Sequence, residues 1–190
     1  MYDAIVVGAR CAGSPTAMLL ARRGRRVLLL ERAAFPRDTL STHYIHQSGA
    51  ARLARWVLLD RLAATGCPPI RDYRFDVGPF ALTGTPPSID GVDAAYSPRR
   101  YVLDTLLAQA AAEAGAELRQ GVTVRGLLVE DGRVTGVRGG TSAGELLAER
   151  ARVVIGADGR NSTVAREAGA EVYEDRGTLT CAYYAYWTGV

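Results

Sequence analysis

The first candidate functional residues lie near the N-terminus, where glycines follow a short apolar run. Gly8 and Gly13 occupy the first and third positions of a G-x-G-x-x-G pattern, and Arg10 stands at its middle position. In such a loop the first glycine makes a tight turn, and the third lets helix and strand pack closely. The N–H groups that begin the next helix attract phosphate. The Arg10 guanidinium would either turn outward or pair with a phosphate oxygen.

An acidic residue stands where a nucleotide-binding loop needs one. Glu31 ends the next apolar run, 23 residues after Gly8. A carboxylate at that position accepts hydrogen bonds from a ribose hydroxyl pair. We therefore interpret the segment as a dinucleotide site, in preference to an ordinary strand, turn and helix.

A second candidate lies in GADGRNS, residues 156–162. Asp158 and Gly159 follow a buried apolar run, which places a carboxylate and a flexible backbone at the carboxyl end of a strand. Ligands of α/β sheets bind at those ends. An Asp-Gly pair alone most often marks a turn, but together with the N-terminal loop it indicates ligand binding.

Other side chains are weaker candidates. Two histidines three residues apart, His43 and His46, lack a cysteine or carboxylate partner, so no metal site is predicted. An aromatic cluster near the C-terminus would either line a substrate pocket or pack as an ordinary sheet, and it consists of Tyr183, Tyr184, Tyr186 and Trp187.

The apolar pattern predicts the strands and helices around these residues. Residues 4–7 and 27–30 predict buried strands, and residues 14–23 predict the helix between them. This is a β-α-β unit, the minimal half of a Rossmann fold. The later pattern predicts a helix at 47–62, one or two short strands within 73–83, a helix that Ser97 caps and Pro98 begins, a strand at 117–119, a hairpin that turns at Asp131-Gly132, and a strand at 152–155.

Composition limits the class of protein. The chain has 190 residues, 48% of them hydrophobic and 23% charged, with a formal charge of +3. This composition predicts a soluble globular protein. It favours neither a nucleic-acid partner nor insertion into a membrane. Three cysteines, far apart, indicate neither a disulfide framework nor a zinc site, so a cytoplasmic location is expected. The chain contains no lysine, and no step can use a lysine amine.

The motifs together resemble a known family, the FAD-dependent oxidoreductases of the p-hydroxybenzoate hydroxylase type. The resemblance lies in VVGARCAGSPTAMLLARRGRRVLLLER, FPRDTLSTH, SPRRYVLDTLLAQAAAEAGAEL and RVVIGADGRNSTVAR. It covers nearly the whole chain and includes the arginine at the middle position of the loop. It implies an α/β fold, with a Rossmann-like FAD-binding domain of the glutathione-reductase type interleaved with part of a β-sheet substrate domain. The implied boundaries are 1–70 with 98–175, and 71–97 with 176–190.

The resemblance also implies which residues contact FAD. Glu31 would bind the adenosine ribose, with Arg32 beside the adenine. The loop that holds the pyrophosphate would consist of Gly8, Ala9, Arg10, Cys11, Ala12, Gly13 and Ser14.

The remaining implied contacts come from later segments. Arg37 and Arg100 would lie near the flavin side of FAD, or else be solvated surface charges. Val124 would contact the adenine through its backbone, or else be an ordinary ladder residue. Asp158 and Gly159 would serve the pyrophosphate and a visiting nicotinamide nucleotide.

The implied activity is an NAD(P)H-dependent monooxygenase that hydroxylates an aromatic or polyketide-like small molecule. In that family NAD(P)H reduces the flavin, which then reacts with O₂, and no catalytic side chain is predicted here. The alternatives are a geranylgeranyl-reductase-like enzyme that reduces double bonds, and a non-catalytic FAD-binding fragment. Halogenation is disfavoured because that branch uses a lysine. The family's later Gly-Asp motif is missing, so we expect the chain to be truncated. Neither substrate nor oligomeric state follows from the sequence.

Overall fold

The structure is a computed structural model, and it describes residues 1–177 together with Cys181, Tyr183 and Ala185. Ten strands and five helices follow one another in these residues. Their order is β1 (Tyr2–Val7), α1 (Gly13–Ala21), β2 (Val27–Glu31), α2 (Gln47–Arg55), α3 (Leu59–Ala63), β3 (Pro69–Ile70), β4 (Tyr73–Asp76), β5 (Ala81–Gly84), β6 (Ala95–Tyr96), α4 (Arg100–Glu113), β7 (Glu117–Gln120), β8 (Val122–Glu130), β9 (Arg133–Thr141), β10 (Leu146–Gly156) and α5 (Thr163–Glu167).

Six strands form the main sheet, in the order β7-β2-β1-β10-β9-β8. β1 lies between parallel neighbours, so that Ile5 pairs with Leu28 of β2 on one side and with Val154 of β10 on the other. β2 in turn pairs parallel with β7. The first half of β10 instead pairs antiparallel with β9, and β9 with β8. The carboxyl ends of β1, β2 and β10 therefore lie side by side, and the predicted α/β fold with a parallel sheet is confirmed.

Alternating side chains of the parallel strands supply two separate cores, as the period of two in a strand requires. Val6 and Leu29 point to the face that α1 and α4 cover, where they pack with Met18 and Leu107. Ile5 and its neighbours on the opposite face pack against β8, β9 and α5, in a cluster that includes Leu28, Leu30, Val122, Val124, Leu127, Val137 and Val164. Both faces of the parallel strands are covered, which explains their continuous apolar sequence.

Most predicted elements are present, and the hairpin turn at Asp131 and Gly132 is confirmed, with φ of 50° and 73°. The single helix predicted at 47–62 is wrong, because the chain breaks into α2 and α3. Val57 adopts a left-handed φ of 63° there, and the reversal leaves Leu58 only 1% exposed. Burial of Leu58 thus outweighs the continuity of the helical pattern.

The predicted start of the fourth helix is also wrong. α4 begins at Arg100 with Arg99 as its N-cap, so Ser97 and Pro98 lie before the helix and not in it. Further short pairings, β3 with β6 and β4 with β5, lie outside the main sheet. The division into two interleaved domains stays a prediction, since much of its last segment lies outside the described residues. The same holds for the aromatic strand, because Tyr184, Tyr186 and Trp187 lie outside them.

The described residues contain neither a membrane-spanning helix nor a cluster of metal ligands. No helix among them has the length and apolar character needed to cross a membrane. Within the same part of the chain, no three His, Cys, Asp or Glu side chains cluster in a way that could hold a metal ion.

Candidate nucleotide-binding cleft

A cleft of about 510 Å³ opens at the carboxyl ends of β1, β2 and β10. This volume lies within the range of small-molecule sites, roughly 300–1,000 Å³. Its walls come from the loop after β1, the end of β2, the start of α4, the first residues of β8 and the loop after β10. The residues that line it are Val7, Gly8, Arg10, Cys11, Ala12, Leu30, Glu31, Arg32, Thr39, Arg100, Val122, Thr123, Val124, Ala157, Asp158, Gly159, Arg160, Asn161 and Thr163.

Two glycines give the loop after β1 its path. Gly8 has a left-handed φ of 98°, and a Cβ there would lie 2.4 Å from the Ala157 carbonyl oxygen. A Cβ on Gly13 would lie only 1.7 Å from the Gly8 carbonyl oxygen. No side chain fits at either position, so this path of the backbone requires glycine at both. Ser14 is fully buried at the start of α1 and donates its hydroxyl to the Ala9 carbonyl, 2.8 Å away.

Glu31 joins this loop to the end of β2. It is 4% exposed, and its Oε2 accepts the Ala9 N–H at 2.9 Å while its Oε1 accepts the Ala33 N–H at 3.0 Å. Each oxygen keeps a second lone pair, and the side chain borders the cleft. The carboxylate can therefore hold the loop and accept a ligand hydroxyl together.

A buried ion cluster forms another part of the cleft. Asp104 of α4 has no solvent exposure, and its Oδ2 lies 2.8 Å from Arg10 Nη1 and 3.0 Å from Arg100 Nη2. Its Oδ1 accepts Arg100 Nε at 3.0 Å and the Cys11 thiol at 3.4 Å. The Arg10 guanidinium is therefore paired with Asp104. It is neither free in solvent nor held in reserve for a ligand alone. The Arg10 and Arg100 side chains keep 26% and 16% exposure, so both remain accessible from the cleft.

Cys11 is an exposed residue whose surroundings disfavour the thiolate. Desolvation of the sulfur raises its pKa to about 11, opposed by the positive charge of Arg100 and helped by the nearby Asp104 carboxylate. A raised pKa favours the protonated thiol at neutral pH, as its donation to Asp104 requires. A protonated thiol is a weaker nucleophile than a thiolate.

Asp158 has a structural task in addition to its place in the cleft. Its Oδ1 accepts the Ser162 hydroxyl at 2.5 Å, and its Oδ2 accepts the N–H groups of Thr163 and Val164 at 2.6 and 3.2 Å. The side chain therefore accepts the N–H groups that begin α5, whose N-cap is Ser162, and keeps one lone pair of Oδ1 for a ligand. Gly159, with a φ of 91° and no atom within 4 Å of a Cβ, presents open backbone to the cleft.

The other predicted site residues separate into two groups. Arg32 and Val124 line the cleft together with the loop residues Gly8, Arg10, Cys11 and Ala12. Ala9, Gly13 and Ser14 lie beneath the loop as buried supports. Arg37 is exposed and lies outside the cleft lining, so its role near the flavin stays a prediction, as do the ligand contacts of the whole set.

Sequence reasoning missed two charged residues of this site. Asp104 lies 94 residues from Arg10 in an alanine-rich helix, and its helical spacing from Arg100 was the available signal. Arg160 follows Asp158-Gly159 directly and contributes an exposed guanidinium to the cleft.

Comparison with known proteins identifies the family of the chain. Residues 1–186 match the family described as "FAD binding domain". The chain belongs to this FAD-binding family. The predicted resemblance to FAD-dependent oxidoreductases is thereby confirmed, and FAD is the cofactor that the family implies.

Curated relatives of this FAD-binding chain include two kinds of protein. It is 34% identical over 183 residues to protein FixC of Salmonella typhi, which covers 89% of the chain and 39% of FixC. It is 33% identical over 191 residues to the digeranylgeranylglycerophospholipid reductase of Methanosarcina acetivorans, which covers 97% of the chain and 44% of the reductase. The chain spans about two fifths of the length of these relatives.

Solved structures share the fold. The myxobacterial chondrochloren halogenase CndH, a variant of FAD-dependent halogenases, superposes with a TM-score of 0.80 at 30% identity, over 87% of this chain and 39% of that chain. The anhydrotetracycline hydroxylase OxyS of Streptomyces rimosus superposes with a TM-score of 0.71 at 27% identity, over 88% and 34% of the respective chains. The named relatives thus include a reductase, a halogenase and a hydroxylase, in agreement with the prediction of an FAD-dependent enzyme family.

The residues of the cleft fit FAD. No Cβ fits at Gly8 or Gly13, as the tight turn and the close helix packing of a dinucleotide-binding loop require. The ion cluster of Arg10, Arg100 and Asp104 has a net charge of +1, which suits a diphosphate.

Proposed function

We propose that the chain forms the FAD-binding part of an NAD(P)H-dependent monooxygenase that hydroxylates an aromatic or polyketide-like small molecule. The observation that supports this most is the cleft itself. The loop after β1, Glu31 and the guanidinium groups of Arg10 and Arg100 all border it. The 30% identity to an FAD-dependent halogenase and the 27% identity to a hydroxylase favour chemistry with oxygen.

Each part of the cleft has a binding task in this proposal. Glu31 accepts the adenosine ribose hydroxyls with the lone pairs that Ala9 and Ala33 leave free. Arg10 and Arg100 face the pyrophosphate together with Cys11 and Ala12, which precede α1, so that Arg100 lies there instead of on the flavin side. The bound FAD supplies the redox chemistry, and the protein's residues position it and restrict water.

Hydroxylation is preferred to halogenation for a chemical reason. The resemblance implies that flavin halogenases use a lysine in their N-terminal half, and this chain contains no lysine. An arginine does not replace a lysine amine, because its guanidinium stays protonated at any pH that a protein tolerates.

Double-bond reduction is the second candidate. It is favoured by the 33% identity, over 97% of this chain, to a digeranylgeranylglycerophospholipid reductase. In this proposal the same cleft holds FAD, and the substrate is a polyprenyl chain.

The two reactions differ in the mass of the product. The intact protein is supplied with NAD(P)H and with aromatic or polyprenyl candidates, with and without air. A gain of one oxygen atom that occurs only in air supports hydroxylation. A gain of two hydrogens without air contradicts it and supports the reductase. A control without NAD(P)H excludes chemistry that does not pass through the reduced cofactor.

A further inference from the structure

Asp104 is an unusual charge to find at a fully buried position. It is one of few polar side chains in the core, and it has 0% exposure. Burying a carboxylate is costly unless it is paired and hydrogen-bonded. Asp104 is satisfied by two guanidinium groups and one thiol, and all three of these groups belong to residues that line the cleft.

We propose that Asp104 is a positioning residue for cofactor binding, which holds Arg10 and Arg100 in the orientation that receives the FAD pyrophosphate. This inference rests on the proposed placement of FAD in the cleft. Asp104 itself does not line the cleft and would act only through the two arginines.

The geometry supports a task of orientation. Arg10 extends from a loop and Arg100 from the first turn of α4, so the backbone alone does not bring their side chains together. The Asp104 carboxylate accepts one nitrogen from Arg10 and two from Arg100, at 2.8–3.0 Å. Because Asp104 is fixed within a packed helix, both guanidinium groups lose much of their rotamer freedom before a ligand arrives. Such preorganisation lowers the entropic cost of binding.

Charge alone makes the opposite prediction. Removal of the Asp104 charge would raise the net charge of the cluster from +1 to +2, and a diphosphate would then bind more tightly by simple Coulomb attraction. The sign of the change in affinity therefore separates a residue that positions the arginines from one that merely neutralises them.

The experiment compares FAD and riboflavin binding by the wild-type protein and by Asp104→Asn. Riboflavin has the same ring as FAD but no pyrophosphate. We expect Asp104→Asn to weaken FAD binding roughly 10- to 100-fold, the loss typical of a hydrogen bond to a charged group, and to leave riboflavin binding unchanged. Glu113→Gln is the matched control, because it breaks an ion pair with Arg61 at the other end of the same helix, outside the cleft.

The possible results distinguish the positioning role of Asp104 from the proposed function. FAD affinity that is unchanged or higher in Asp104→Asn overturns the positioning role, as does an equal loss for FAD and riboflavin. If the wild-type protein binds no FAD, the proposed function fails as well. If Asp104→Asn does not fold, Asp104→Glu keeps the charge and displaces the arginines, and an unchanged FAD affinity in that variant overturns the proposal.

Discussion

The Oε2 atom of Glu31 lies 2.9 Å from the backbone nitrogen of Ala9, although 22 residues separate them along the chain. Its other oxygen accepts the Ala33 N–H at 3.0 Å. A buried carboxylate therefore ties the loop after β1 to the segment after β2. The conformation of the nucleotide-binding loop is held by the protein's own hydrogen bonds before any ligand arrives.

Replacement of Glu31 with alanine should have two effects. The free energy of unfolding without ligand should fall by about 1–3 kcal/mol, because two buried N–H groups lose their acceptor. FAD binding should weaken by about 1.5–3 kcal/mol beyond the effect of any unfolding, since a ribose contact is lost. Urea unfolding and FAD titration measure the two quantities. Glu130→Ala, which breaks an exposed pair with Arg150, is the control. Unchanged FAD affinity in Glu31→Ala would mean that the ribose is held elsewhere.

Gly13→Ala should destabilise the protein far more than Gly24→Ala. A Cβ on Gly13 meets a backbone carbonyl oxygen at 1.7 Å, whereas one on Gly24 has no atom within 4 Å. Gly24→Ala costs only the left-handed backbone, about 1–2 kcal/mol, while Gly13→Ala should cost roughly 4 kcal/mol or more. Urea unfolding of both variants without ligand measures the difference. Equal costs would contradict the close packing of α1 on the loop.

Replacement of Arg10 with glutamine should weaken FAD binding and make it less sensitive to salt. The substitution removes one of the guanidinium groups that line the cleft, and screening by salt acts on charged contacts. FAD titrations at low and high ionic strength measure both effects. Arg55→Gln is the control, because that arginine pairs with Asp90 outside the cleft. An equal salt dependence in Arg10→Gln and in the wild-type protein would show that Arg10 serves Asp104 alone.

Cys11 should react slowly with alkylating reagents, even at mildly alkaline pH. With a pKa of about 11, roughly one thiol in a thousand is ionised at pH 8, compared with about a quarter for an ordinary cysteine. Asp104→Asn should speed the reaction, because the carboxylate helps to raise that pKa. Alkylation rates between pH 7 and 10, in a background where Cys67 and Cys181 are serine, test this. A rate that levels off near pH 8.5 would contradict the account.

The sequence was sufficient for those parts of the fold that depend on local pattern. Apolar runs predict the buried strands on either side of the glycine loop. The spacing after Gly8 predicts Glu31 as a ribose-binding residue. The break at Val57 could not be predicted, because a β-branched residue rarely adopts a left-handed conformation. Only the burial of Leu58 in the tertiary structure explains it.

The sequence predicts where the site lies in the fold but not which charged side chains pair within it. Asp104 meets Arg10 across 94 residues, and one sequence gives no information on such a distant pair. The ligand contact of Asp158 stays a prediction, and its carboxylate also accepts the Ser162 hydroxyl and the Thr163 N–H at the start of α5. The Ser-Thr pair before an apolar residue is a local signal for the N-cap that Ser162 forms there.

We expect the cleft to bind FAD through its adenosine and pyrophosphate. Parallel titrations of the folded protein with FAD and with FMN, monitored by flavin fluorescence or absorbance, measure this. FMN has the flavin and one phosphate but lacks the adenosine that we propose Glu31 binds. We predict that FAD binds at least tenfold more tightly than FMN, and that Glu31→Ala removes most of the difference. A folded protein that takes up no FAD, or that binds FMN as tightly, would contradict the account.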